Sequence, residues 1–335
     1  MTKEKRKGYL LIFITVVIFG LEPGLIKLLL NSDAISPNAM CLFRAIFVAL
    51  VSEGVMIWSR LNEKRKLKQN KEIKRSLITD YKVEGIGKKR YILLALGMAI
   101  FYALNILSFS SGLNLTKATL GEFVNSIGAT LCVMIVFAIF VKGEAKHLKS
   151  LWVIISFILG VFGVFYASGN TFGDLANFKM DLGIVLILVS GITWGLYLLF
   201  MNKLSSDVSK FRIMRDTQVV TVIFFVIILL VSGDLVSTFQ IGLTNILKVF
   251  LFSLIVDIGT ILTYYEALRI VSGIIATLFT MACPIITYAF CYLVLNERIS
   301  GIQIVGCAIL FVSSILLSVD QIKDELKEEK KLTDK

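Results

Sequence analysis

The chain has little of what a conventional enzyme site needs. It contains one histidine, His147, and five cysteines among 335 residues. The sequence shows no clustered nucleophile, no metal-ligand spacing and no glycine-rich phosphate loop. These absences predict a protein that is not an enzyme and that holds no metal or other cofactor. The cysteines all fall in apolar segments, at Cys41, Cys132, Cys283, Cys291 and Cys307.

Apolar residues are present in excess. They make up 56% of the chain, and the mean hydropathy is +0.82. A membrane-spanning helix needs about 20 mostly apolar residues, and this criterion predicts an all-α membrane protein with ten transmembrane helices. The longer segments left outside the membrane are a basic loop at 59–90 and a charged tail at 320–335. The predicted spans are 9–30, 37–58, 91–113, 117–141, 151–169, 182–202, 214–233, 248–268, 273–295 and 301–319.

The basic residues predict the orientation of these spans. The formal net charge of +11 is compatible with nucleic-acid binding, but the positions of the charges argue against it. If the N-terminus is cytoplasmic, most lysines and arginines fall on the cytoplasmic side, which is the positive-inside pattern. We therefore expect both termini in the cytoplasm, and the lipid bilayer rather than nucleic acid as the partner of this charge. The non-cytoplasmic side has only Lys117, Lys179, Lys248 and Arg298.

The pattern of spans occurs twice. Residues 1–169 hold five predicted spans, and residues 181–319 hold five more. An odd number of spans inverts the second copy relative to the first, as in many secondary transporters, whose substrate site lies where the copies meet. The matching motifs are Phe19-Gly20 with Lys27 and Lys142-Gly143-Glu144 in the first copy, and Trp194-Gly195 with Lys203 and Asn296-Glu297-Arg298 in the second.

The order and spacing of these motifs resemble the drug/metabolite transporter superfamily in its ten-helix, EamA-type form, over roughly residues 8–319. One position departs from the family pattern, because the proline of the fourth span would fall at Leu131. The resemblance implies a carrier that moves small organic metabolites across the membrane by alternating access. Further motifs that carry it are Phe43-Arg44-Ala45, Ala267-Leu268, and Pro284 ahead of Glu297.

Glu22 is the sharpest candidate for the site, because an ionisable group inside a span is costly and therefore a functional candidate. It precedes Pro23 near the middle of the first span. Pro23 removes the hydrogen-bond partner of the Phe19 carbonyl and should act as a hinge. A carboxylate beside such a turn offers acceptors to a cation or a proton. The alternative is an ion pair with Lys27 or Arg44, two residues that we expect to organise the site.

A second polar group is predicted in the eighth span. In an α-helix Asp257, Thr260 and Tyr264 would share one face, which should look inward because the rest of the span is apolar. The repeat mates of Asp257 and Thr260 are about Tyr102 and Asn105 in the third span. These residues are candidates for substrate binding, and polar contacts that only hold helices together are the alternative.

Glu122 and Asn125 form another pair on one helix face, in the fourth span. Glu122 lies near the outer end of that span in the predicted topology. It is therefore either a substrate-binding residue or a residue at the rim of the membrane. In the second repeat, Pro284 frees the carbonyl of Thr280 and should make a second hinge in the ninth span.

Two aromatic residues are also candidates for substrate binding. Trp194 lies near Tyr197 in the sixth span, and Tyr197 is the approximate repeat mate of Glu22. Aromatic rings beside a carboxylate can hold an ammonium group by cation–π attraction. Aromatic residues that face lipid would give the same pattern, so the spacing alone does not decide between the two interpretations.

The central acids outnumber the central bases, which predicts a cationic or zwitterionic solute such as an amino acid, a choline-like compound or a drug. The same imbalance would suit uptake of protons and coupling to a proton gradient. Spans five and ten carry no ionisable residue and should pack peripherally or between the protomers of a homodimer. The absence of a eukaryotic targeting segment favours a multi-pass protein of a bacterial inner membrane. The alternative function is a scaffold or regulator that kept a carrier fold without transport.

Overall fold

A computed structural model gives the fold of the chain. It describes residues 3–31, 35–68, 87–140, 150–171, 181–204, 210–268, 270, 279 and 282–316, among which there is no strand. The helices are α1 (Lys3–Leu30), α2 (Pro37–Lys68), α3 (Lys88–Leu115), α4 (Ala118–Phe140), α5 (Leu151–Ala167), α6 (Leu182–Leu204), α7 (Lys210–Ser232), α8 (Leu235–Phe239), α9 (Leu243–Phe252), α10 (Thr260–Leu268), α11 (Cys283–Val294) and α12 (Gly301–Leu316). A π-helical turn, Ser253–Gly259, joins α9 to α10.

Most of these helices are long and apolar. In the described part of the chain, six have the length and composition needed to cross a membrane, and three shorter ones are also apolar. Large apolar side chains lie exposed on them, as with Leu93, which is 70% exposed. Hydrocarbon is the environment that such a surface requires, so the protein is a multi-pass membrane protein. All ten predicted spans contain helix, whereas the count of ten and the cytoplasmic termini stay predictions.

The helices pack into two compact units that do not follow the two repeats. Unit 1 comprises Met1–Ser32, Ser108–Ile192 and Ile255–Lys335, and unit 2 comprises Asp33–Leu107 and Thr193–Leu254. Each unit therefore contains segments from both halves of the sequence. The division into two repeats stays a prediction from the motifs.

In unit 1, α1 packs directly against α11 because both present small residues. A Cβ added at Gly20 would lie only 2.7 Å from the Cβ of Ile286. The Thr287 hydroxyl lies 2.6 Å from the Gly20 carbonyl oxygen, and the Cys283 Sγ lies 3.6 Å from that of Val16. Close backbone approach and hydrogen bonds between helices are what hold helices together in lipid, where apolar burial supplies little.

The fifth and tenth predicted spans, α5 and α12, pack against each other within unit 1. The Ser313 hydroxyl donates to the Ser156 carbonyl oxygen over 2.6 Å. A Cβ at Gly163 would lie 2.7 Å from the Leu310 side chain. Their outer faces carry exposed apolar side chains, such as Val161.

In unit 2, α2 and α7 pack against each other and carry an ion network that the sequence analysis did not predict. Arg215 of α7 donates to Glu53 of α2 over 2.8 Å and also contacts its neighbour Asp216. The Tyr91 hydroxyl, at the start of α3, donates to the Asp216 carboxylate. Arg212 pairs with the same carboxylate at 3.7 Å. These pairs bring α2, α3 and α7 together.

The tight contact between α1 and α11 predicts a large effect of a single methyl group. Gly20→Ala should destabilise the protein by about 1–3 kcal/mol, because the added Cβ would also lie 3.0 Å from the Cys283 carbonyl oxygen. Gly54→Ala is the matched control, since nothing lies within 4 Å of a Cβ there. Thermal unfolding of the purified protein in detergent should show a lower melting temperature for Gly20→Ala alone. Equal melting temperatures for the two variants would contradict the packing.

Candidate functional site

Two of the predicted acids meet in unit 1. Glu22 of α1 and Glu122 of α4 lie close enough for their carboxylates to interact electrostatically. Glu122 is buried, being only 7% exposed. The Ser126 hydroxyl lies 3.3 Å from Glu122 Oε1, and the Asn125 side chain is also within reach of the carboxylate. The predicted pair of Glu122 and Asn125 therefore lies on one face, as expected.

A cysteine adjoins the two carboxylates. The Cys283 thiol, in the first turn of α11, is within electrostatic reach of both Glu122 and Glu22. The side chain is buried, being 4% exposed. The acid pair therefore lies where α1, α4 and the start of α11 come together. The sequence could not indicate this, because Cys283 has the spacing of an ordinary buried apolar residue.

Contacts between α1 and α10 relate the third acid, Asp257, to Glu22. The contacting pairs are Ile12 with Ala267 in one core cluster, Thr15 with Thr263 over 2.8 Å, and Phe19 with Tyr264 over 6.2 Å between ring centroids. From the first pair to the second, the residue number rises along α1 and falls along α10, so the two helices run antiparallel. Asp257 and Glu22 therefore lie on the same side of the contact between Thr15 and Thr263 along this helix pair.

The turn that holds Asp257 differs from the prediction. The sequence predicts a continuous α-helix here, whereas Asp257 lies in the π-helical turn Ser253–Gly259 and α10 begins only at Thr260. The prediction that Asp257 shares an α-helical face with Thr260 is therefore wrong in its geometry. Asp257 and Thr260 are each 9% exposed, and the Thr260 hydroxyl has no hydrogen-bond partner among the described residues. Such turns within α-helices are frequent at functional sites.

The predicted aromatic residues form one cluster in unit 2. The rings of Trp194 and Tyr197 stack with centroids 5.0 Å apart. The ring of Tyr102 lies 5.4 Å from that of Tyr197. Asn105 lies one turn after Tyr102 on α3, and all four side chains are half-buried. The sequence analysis named these residues separately, because it could not show that α3 and α6 meet here.

Arg44 also lies in unit 2, on α2. It is buried, being 5% exposed, and its guanidinium carbon lies 5.0 Å from the centre of the Phe252 ring. A guanidinium over an aromatic face is a favourable cation–π contact. The predicted role of Arg44 in organising the acids is not decided by this contact.

Lys27 and the two prolines have surroundings that the sequence did not specify. The Lys27 ammonium binds the backbone carbonyl oxygens of Leu113, Asn114 and Thr116, in the α3–α4 connection, which is the last turn of α3 together with Thr116 and Lys117.

The two prolines are accommodated in different ways. Helix α1 continues without a break through Pro23. Pro284 lies in the first turn of α11, where a proline fits without loss of a helical hydrogen bond. Thr280, whose carbonyl was expected to be freed, lies outside the described residues, and the hinge roles stay predictions.

Comparisons with known proteins agree with this fold. Residues 181–319, the second predicted repeat, match the model of the EamA-like transporter family. A solved structure titled only "Crystal structure of protein" has a TM-score of 0.52 and 14% identity, covering 93% of this chain and 96% of that chain. At this identity the likeness shows the fold alone. No curated protein matches the chain.

The matched residues include motifs from which the resemblance was drawn, among them Trp194-Gly195, Pro284 and Glu297. Residues 181–319 thus match the EamA-like type of the drug/metabolite transporter superfamily, whose members are membrane transporters of small solutes.

Proposed function

We propose that the protein is a secondary transporter that moves a small cationic or zwitterionic organic solute by alternating access. The observation that carries the proposal is the pair of carboxylates, Glu22 and Glu122, that interact within an apolar bundle. Two negative charges in a low-dielectric surrounding require a counter-charge. A solute ammonium group would supply it.

A proton is the other cation that can satisfy this pair. One shared proton removes the repulsion between two neighbouring carboxylates. Binding of the solute would then displace the proton, and binding of the proton would displace the solute. This competition is the physical basis of exchange between a cationic solute and protons.

Asp257 and Tyr264 extend the proposed site in unit 1. Asp257 precedes α10, which packs against α1, and Tyr264 contacts Phe19 one turn before Glu22 on α1. A third carboxylate and a phenol hydroxyl would serve a solute with more than one polar group, such as an amino acid or a polyamine. In unit 2, the rings of Tyr102, Trp194 and Tyr197 offer faces suited to ammonium groups.

Neutralising either member of the acid pair should reduce transport. Glu22→Gln or Glu122→Gln removes a charged interaction of about 1.5–3 kcal/mol, so uptake at low solute concentration should fall by roughly tenfold or more. The measurement is uptake of radiolabelled choline, polyamines and amino acids into proteoliposomes. Glu4→Gln is the matched control, because Glu4 lies exposed on the same helix. Full activity of both site variants would contradict the assignment of the site. If no solute is transported at all, the scaffold alternative is favoured.

Exchange with protons predicts a response to a pH gradient. Proteoliposomes with an acidic interior should take up the cationic solute several-fold faster than those without a gradient, because outward movement of protons drives its entry. A proton ionophore should abolish the stimulation, and Glu122→Gln should lack it. Uptake that is saturable but indifferent to the gradient in the unmodified protein would contradict proton coupling while leaving the solute site intact.

A further inference from the structure

We propose that Lys27 and Glu297 are positioning residues that set the spacing of the Glu22–Glu122 pair by clamping the α3–α4 connection from both sides. The assignment rests on the proposed function of that pair as the solute site. Neither residue needs to touch the solute in order to act. The clamp is formed entirely within unit 1.

The first side of the clamp is an ammonium group on the end of α3. Lys27 Nζ lies 2.8 Å from the Leu113 carbonyl oxygen, 3.1 Å from that of Asn114 and 3.0 Å from that of Thr116. The last carbonyls of a helix have no partner within it and carry its negative dipole end. An ammonium group has three donors, so these contacts can use all of them. Lys27 thereby fixes α1 to the end of α3.

The second side of the clamp is a carboxylate on the start of α4. Glu297 Oε1 accepts from the Ala118 N–H at 3.0 Å, and Oε2 accepts from the Thr119 N–H and the Thr119 hydroxyl, each at 3.2 Å. The first N–H groups of a helix lack partners within it and attract negative charge. Glu297 follows α11, so it fixes the end of that helix to the start of α4.

Further charges reinforce the same region. Lys27 lies within electrostatic reach of both Glu297 and Asp181. Asp181 in turn accepts from the Gly183 N–H over 2.9 Å at the start of α6. On the other side, Lys117 donates to the Arg298 carbonyl oxygen. Lys27, Glu297 and Asp181 therefore each have an opposite charge or a helix end as a partner.

The clamp lies a short, helical distance from both carboxylates. Glu22 precedes Lys27 on α1 by little more than one turn, and Glu122 follows Thr119 on α4 by about one turn. Helix α1 runs without a break from Glu22 through Pro23 to Lys27, so fixing Lys27 and Thr119 to one connection also restrains the two acids relative to each other. Loss of the clamp should let α1 and α4 shift and weaken the interaction of the acids.

A double-mutant cycle tests this without relying on transport. Melting temperatures are measured for the full-length protein in detergent, with Glu22→Gln, Glu122→Gln and both changes together. In the native background the combined shift should differ from the sum of the single shifts by roughly 2–4 °C, because the two carboxylates interact. In the Lys27→Met background this difference should fall to less than half, and Lys27→Arg should restore it.

Two controls separate positioning from simple stabilisation. Lys248→Met, which neutralises an exposed lysine outside the clamp, should leave the non-additivity unchanged. If Lys27→Met does not fold, Thr119→Val removes one contact of Glu297 and should reduce the non-additivity in part. A lower melting temperature with the non-additivity fully retained in these clamp variants would overturn the proposal.

The kinetic readout keeps this inference apart from the proposed function. If a cationic solute is transported, Lys27→Met should raise its KM at least several-fold with a smaller change in maximal rate, and Lys27→Arg should recover the KM. A raised KM for Lys248→Met as well would contradict a specific role for Lys27. If no solute is transported, the proposed function fails, and the melting-temperature cycle still decides whether the clamp sets the spacing of the acids.

Discussion

Helix ends need partners that the helix itself does not supply, and this constraint governs unit 1. The last carbonyls and the first N–H groups of a helix have no partners within it. At the α3–α4 connection, Lys27 binds the last carbonyl oxygens of α3 and Glu297 accepts from the first N–H groups of α4. The acid pair of Glu22 and Glu122 lies about one turn away, and under the proposed function it is the place where a cation from outside the protein would be held.

A related constraint explains why the spans could be predicted from the sequence. A bilayer allows helices and excludes open strands, so apolar length alone indicated where each helix would lie. The predicted ends were less accurate, since α2 continues to Lys68 although its apolar segment ends near 58. A charged helix end can extend beyond the membrane, and hydropathy does not detect it.

The contents of the site were harder to predict, because periodicity shows which residues share a face and not which helices meet. It placed Glu122 with Asn125 correctly, but it could not show that Glu122 would meet Glu22. It also missed the π-helical turn around Asp257, which no composition signal marked. The partners of Lys27 are backbone atoms, and a sequence pattern carries no information about these. Periodicity also gave no sign of the ion pair between Arg215 and Glu53, because this pair joins helices that are far apart in the chain.

The two compact units cut across the two sequence repeats, and this has a consequence for the order in which the protein can be made. Helix α1 completes its contacts only with α10 and α11, near the other end of the chain. A ribosome delivers α1 to the membrane long before those helices exist. During that interval Glu22 and the small-residue face of α1 must wait in lipid or against a helper protein. A chain truncated before α10 should therefore be recognised as unfinished and degraded, although its first seven predicted spans would already be inserted.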